Sequence, residues 1–157
     1  MKFGKYILEH RIPKFQDYYC DYAALKELLK VIKADIAAGR TSAAGNQSVK
    51  LHDLQQNQLD KFMEQDPFHT FAFVLEENMS KVDSFAARRF ADLKVLVQAA
   101  LGRVNQGTLL VGTARALSYS VLELEAFGRL NVVAFEKIVK KFDRVCAFTL
   151  STLLRFL

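Results

Sequence analysis

The sequence predicts an all-α fold, and three observations carry that prediction. Apolar residues recur at steps of three and four through every long stretch of the chain, whereas strand-like alternation is absent. The punctuating residues fall between those stretches: Pro13, Gly39, Asp66-Pro67, and Gly102 with Gly107 as a bend, each stand at an expected boundary. Two of the stretches, about 70–104 and 108–127, are long enough to form the spine of the molecule. The short connection between them predicts antiparallel packing.

Taken in order, Met1 to His10 makes one short helical arm, and Pro13 turns the chain. Residues 16–38 form a helix with the apolar stripe Tyr18, Leu25, Leu28, Leu29, Ile32 and Ile36. Asp17 supplies favourable charge in its first turn and Gly39 stops it. Tyr22, Lys26, Lys30 and Lys33 form a second row along the border of that stripe. Residues 39–50 have the composition of a connector, and 51–65 are expected to form a short helix that Asp66-Pro67 ends. In the long helix from Thr70 to Val104, the seam Leu75, Met79, Val82, Ala86, Phe90, Leu93, Val97, Ala100 and Val104 keeps a heptad-like rhythm. The next helix, 108–127, carries Leu110, Val111, Ala114, Leu117, Val121, Leu124 and Ala126. Asn131 has the character of an N-cap for a further helix, and the apolar segment 145–157 is expected to pack as a last one. It ends in hydrophobic sequence, and these residues are expected to be part of a longer protein.

The stretch after Asn131 organises the functional reading. On a helical wheel Lys137, Lys140, Lys141 and Arg144 fall within an arc of about 100°, and Phe135, Ile138, Val139, Phe142 and Cys146 occupy the other side. Like charges at these spacings repel by a few tenths of a kcal/mol per pair. A helix that needed only solubility would interleave acids, and Glu136 and Asp143 lie off the arc. The arc therefore reads either as a solvated basic face or as a docking surface for something densely anionic. Net charge is +5, distributed unevenly: residues 1–40 carry eight Lys/Arg against five Asp/Glu, residues 41–130 nine against ten, and residues 131–157 five against two. If the fold brings the two ends together, their excess adds into one positive field.

Catalytic signals are nearly absent. His10, His52 and His69 are isolated, Cys20 and Cys146 lack ligand spacing, and no phosphate loop or nucleophile elbow occurs, so no metal and no catalytic residue is assigned. Ser118 and Ser120 read as ordinary helix residues, and the adjacent or i,i+2 pairs Glu76-Glu77 and Glu123/Glu125 splay instead of converging. The 13 Phe and 5 Tyr fall mostly on core stripes instead of alternating with cations, so nucleic acid is not the expected partner. No run is apolar enough to span a bilayer and no secretory segment opens the chain, so a cytoplasmic or cytosol-facing domain is expected.

Two separated motifs now carry a resemblance. Met1-Lys2-Phe3-Gly4-Lys5, Ile12-Pro13, Tyr19, Tyr22 and Leu25-Lys26-Glu27-Leu28-Leu29-Lys30 resemble the opening of SPX domains. The stretch from Asn131 through Phe135-Glu136-Lys137-Ile138-Val139-Lys140-Lys141-Phe142-Asp143-Arg144 resembles that family's closing lysine-rich signature. The likeness covers nearly the whole of 1–157 as a single domain. It implies an N-terminal helical hairpin packed on a core of two long antiparallel helices with shorter C-terminal helices. It also implies a sensor of phosphate status that binds inositol polyphosphates, such as inositol hexakisphosphate or inositol pyrophosphates, and more weakly phosphate or sulfate. Carried over by position, Tyr22, Lys26 and Lys141 resemble the family's phosphate-binding cluster, and Lys137, Lys140 and Arg144 its lysine surface cluster. Lys2, with the amides opening the first helix, and Lys30 are further ligand-binding candidates. The resemblance implies regulation of an attached domain or a ligand-dependent protein partner. His10-Arg11-Ile12-Pro13, Phe71-Ala72-Phe73-Val74 and Lys81-Val82-Asp83-Ser84-Phe85 look most like the fungal glycerophosphodiester phosphodiesterase branch, whose catalytic part would lie outside these residues. Phe15 departs from the family's usual tryptophan. The competing readings are a helical protein–protein interaction module, pairing through the seam from Leu75 to Val104, whose basic face only solvates it, and basic adhesion to an anionic membrane surface.

Overall fold

A computed structural model describes residues 2–38, 67–108 and 110–146. They form α1 (Phe3–His10), a 3-10 helix (Pro13–Tyr18), α2 (Tyr22–Ala37), α3 (Pro67–Asn105) and α4 (Val111–Cys146), so the described chain is all-α. The connector after Gly39, the helix expected at 51–65 and most of the C-terminal apolar segment lie outside the described residues.

Two boundaries and one packing seam differ from the sequence reading. The helix expected from residue 16 begins at Tyr22. Pro13, with its fixed φ, opens a separate 3-10 helix, and the chain is extended at Tyr19 before Asp21 caps α2 by accepting from the Ala24 N–H at 3.0 Å. Asp17 and Asp21 are equally good caps locally; the burial of Phe15, Tyr19 and Cys20 decides for Asp21. The second correction is that the helices expected at 108–127 and from Asn131 onward are one continuous helix of 36 residues. Asn131 is no N-cap. It is buried in mid-helix, accepting from the Cys20 N–H at 2.8 Å while its own amide donates to the Phe127 carbonyl at 2.9 Å.

The third correction concerns the seam of α3. Thr70, Phe71, Leu75, Asn78, Phe85 and Leu93 are its buried positions, whereas Met79, Phe90, Val97 and Val104, all expected on the seam, are exposed. The cause is aromatic. Phe85 lies 5.0 Å from Phe15 and 4.9 Å from Phe127, and burying three such rings outweighs the heptad register through Ala86.

Two compact units divide the chain: residues 1–20 with 78–134, and residues 21–77 with 135–157. In the first, α3 and α4 run antiparallel, as Phe85 meets Phe127 while Leu93 and Val97 share a groove with Val121 and Leu124. The 3-10 helix closes over this pair through Phe15 and through Tyr18 stacked on Phe85 at 4.1 Å, and Lys14 pairs with Glu123. Tyr19 packs at 4.7 Å on Phe127, and its oxygen accepts from the Ile12 N–H; burial raises its phenol above the ordinary range. Gly107, at φ 68°, makes the turn between α3 and α4 in a conformation that side-chain-bearing residues avoid.

In the second unit, Leu25, Leu29 and Ile32 of α2, Phe71 of α3, and Ile138, Val139 and Phe142 of α4 are buried. Phe71 and Phe142 stack at 4.7 Å with 16° between their planes, and Phe68 meets Phe142 edge-on. Burying each such aliphatic or aromatic side chain contributes about 1.5–3 kcal/mol.

Candidate anion-binding site

The second unit's core determines which side chains of α2 and α4 reach its surface. Because Leu25, Leu29 and Ile32 face inward, Lys26, Lys30 and Lys33 are carried to the exposed side of α2. On α4 the inward set is Ile138, Val139 and Phe142. Lys137, Lys140 and Arg144 are exposed and Lys141 is half-buried, so the basic arc and its apolar backing are separated as their spacing predicts.

Tyr22 joins the two helices. Its ring is buried at the first position of α2, and the Lys141 ammonium lies 5.3 Å from the ring centroid. That distance is within the range in which a cation is attracted to the electron-rich face of a tyrosine. A long flexible side chain that is half-buried is thus held at one place. Lys26 stands one turn along α2 from Tyr22, and Lys137 and Arg144 stand one turn to either side of Lys141. The arrangement gathers side chains more than a hundred residues apart in sequence.

Acids modify this surface in a way the sequence reading passed over. Lys30 donates to both oxygens of Glu27, at 2.7 and 2.8 Å, and this contact holds the Glu27 carboxyl below its ordinary range. Glu136, expected not to neutralise the arc, lies 3.6 Å from Lys140. Both pairs are exposed, where such contacts are weak, so a multiply charged anion can outcompete them. The i,i+3 spacing of Glu27 and Lys30 and the i,i+4 spacing of Glu136 and Lys140 were the signals available. Lys2 belongs to the other unit, where its carbonyl accepts from the Lys5 and Tyr6 N–H groups at the start of α1.

The surface offers charge and hydrogen bonds and little else. Both cysteines are free thiols, and burial, helped by Asp143, pushes Cys146 up to about 11, which keeps it protonated and unreactive at neutral pH. Ser118 and Ser120 donate to the carbonyls four residues back, as ordinary helix serines do. Among the described residues no group of three or more His, Cys, Asp or Glu is placed to hold a metal ion.

No family model matches the chain. Curated relatives do: it is 28% identical over 165 residues to the glycerophosphocholine phosphodiesterase GDE1 of Candida albicans, with 96% of this chain and 13% of that protein covered. It is 24% identical over 160 residues to the phosphate system positive regulatory protein PHO81 of Saccharomyces cerevisiae, covering 92% of this chain and 13% of that one. The ankyrin repeat protein nuc-2 of Neurospora crassa matches at 26% over 161 residues, with 92% and 14% covered. The chain thus spans about one-seventh of the length of these relatives. Among solved structures, the SPX domain of Chaetomium thermophilum glycerophosphodiester phosphodiesterase 1, in complex with inositol hexakisphosphate, aligns with a TM-score of 0.68. Identity there is 28%, over 92% of this chain and 75% of that one. An opening motif, a closing lysine-rich motif and a helical architecture all agree with these matches, and over 92% of its length the chain is similar to an SPX domain.

Proposed function

We propose that this domain binds inositol polyphosphates, including inositol hexakisphosphate and inositol pyrophosphates, on the surface formed by Lys26, Lys137, Lys140, Lys141 and Arg144 around the buried Tyr22. Free phosphate or sulfate binds there more weakly. The observation that carries this reading is the Lys141 ammonium seated on the buried Tyr22 ring, which brings the basic end of α4 to the start of α2. The inositol hexakisphosphate held by the Chaetomium thermophilum SPX domain supports the choice of ligand. Lys30 and Lys2 enter the proposal on the resemblance alone.

Each phosphate monoester carries roughly −1.5 to −2 at neutral pH, so a ring bearing six of them needs several cations at once. Lysines act as point charges on adaptable stems, and Arg144 adds a fork that can take two phosphate oxygens. The buried Tyr22 ring limits the freedom of Lys141 before the ligand arrives, which lowers the ordering cost of binding. Occupation of this cytosolic surface then alters what an attached domain or partner meets, according to phosphate status. For a protein resembling the Chaetomium thermophilum protein, that attached part is a glycerophosphodiester phosphodiesterase.

Calorimetry with inositol hexakisphosphate tests the proposal. Binding is expected to weaken steeply as salt rises from low to physiological ionic strength. Lys26→Ala and Lys141→Ala, both at non-core positions, are each expected to lower affinity by at least about tenfold, or ~1.4 kcal/mol. Affinity retained within twofold in both variants, with helicity unchanged by circular dichroism, overturns the site.

A further inference from the structure

The far end of the α3–α4 hairpin is unlike the rest of the molecule. From Leu93 to Leu122, thirty consecutive residues contain no Asp or Glu and three cations, Lys94, Arg103 and Arg115. Acids resume at Asp92 on α3 and at Glu123 on α4. Because the helices are antiparallel and Leu93 shares a groove with Val121 and Leu124, those two acids stand at about the same level of the hairpin. The acid-free part is therefore one contiguous end, about 18–20 Å long on each helix.

That end exposes apolar side chains. Leu101 and Val104 are more than half exposed, and the values rise at the turn, to 73% for Leu110 and 76% for Val111. Monomeric soluble surfaces rarely gather so many; such patches mark interaction sites. Their directions narrow the partner. Val95, Leu96 and Val97 are consecutive, so at 100° per residue they point three ways around α3, and all three are exposed. A partner helix lying in one groove covers one stripe and leaves the others wet, whereas a surrounding apolar medium takes all of them. A second copy is disfavoured as well, because pairing two acid-free ends sets cations against cations.

We propose that this end of the hairpin inserts into the headgroup region of an anionic lipid surface. The aliphatic side chains around the turn enter the acyl boundary, and Lys94, Arg103 and Arg115 reach back along their apolar stems to the lipid phosphates. No helix among the described residues is long and apolar enough to cross a membrane, so the contact is peripheral.

The chain has no tryptophan, so Leu110→Trp gives a reporter at the tip alone. With vesicles of phosphatidylcholine containing phosphatidylserine, its emission is expected to shift to the blue and to be quenched by brominated acyl chains. Pure phosphatidylcholine vesicles are expected to give a much smaller response. In co-sedimentation, Leu101→Asp with Val111→Asp, both at exposed positions, is expected to lower vesicle binding at least tenfold while inositol hexakisphosphate affinity is unchanged. Saturating inositol hexakisphosphate is expected to leave vesicle binding in place. An unshifted tryptophan, binding retained in the double variant, or binding abolished by inositol hexakisphosphate overturns the proposal. So does a lipid-free dimer that the double variant abolishes, which would assign the surface to a second copy.

Discussion

Two cationic regions of α4 and its neighbours differ in what stands behind the charge. Between Lys137 and Arg144 four cations occur in eight residues, backed by the buried side chains Ile138, Val139 and Phe142. Between Leu93 and Leu122 three cations occur in thirty residues, among aliphatic side chains that are themselves exposed. Dense charge on a rigid apolar backing suits a compact polyanion, because the cations need not be gathered before it binds. Sparse charge among exposed aliphatics suits an extended interface that is anionic outside and apolar within. Net charge alone does not distinguish the two; the burial of the residues between the cations does.

The largest way to break this contrast is to remove the backing. Phe142→Ala deletes a ring that stacks on Phe71 and is met edge-on by Phe68. Replacing a buried aromatic by alanine costs about 3–5 kcal/mol. Chemical denaturation is expected to show a loss of that size, with inositol hexakisphosphate affinity falling as Lys141 and its neighbours lose their support. A loss below about 1 kcal/mol would mean that the basic stretch has no packed backing.

Asn131→Ala is the intermediate case. It leaves the Cys20 N–H, whose acceptor is the Asn131 side chain, buried without that acceptor, at a cost of about 1–3 kcal/mol. Urea unfolding is expected to shift by that amount, and Asn131→Asp, which keeps an acceptor oxygen, is expected to recover part of the loss.

Asn131 also marks what the sequence could and could not disclose. The basic arc and its apolar opposite face were legible, since both follow from helical periodicity and from local residue types. The identity of Asn131 as a mid-helix latch was not, because an asparagine ahead of an amphipathic stretch carries the same local signal as an N-cap. Its deciding partner lies 111 residues away. The start of α2 failed for a similar reason, as Asp17 and Asp21 are equivalent until Phe15, Tyr19 and Cys20 are known to be buried. On α3 the heptad count placed Phe90 in the seam and Phe85 outside it; the aromatic cluster with Phe15 and Phe127 reversed that. Tyr22, on the border of the apolar stripe, was recognisable as a candidate, but its contact with Lys141 is a tertiary fact.

The smallest expected effect sharpens the contrast instead of breaking it. Glu27 holds Lys30 through both of its oxygens, and an exposed pair of this kind contributes little to stability. Because the Glu27 carboxyl is held below its ordinary range, the stabilisation it gives is present above the unfolded carboxylate value and is lost as pH falls through the lowered folded one. Glu27→Gln removes that titration and releases Lys30 at neutral pH. If Lys30 belongs to the polyphosphate surface, affinity for inositol hexakisphosphate is expected to rise by about two- to threefold, and its salt dependence to steepen slightly. Vesicle binding through the acid-free hairpin end is expected not to change. An unchanged inositol hexakisphosphate affinity would place Lys30 outside the ligand's reach, leaving Tyr22, Lys26 and the α4 cations as the surface that binds it.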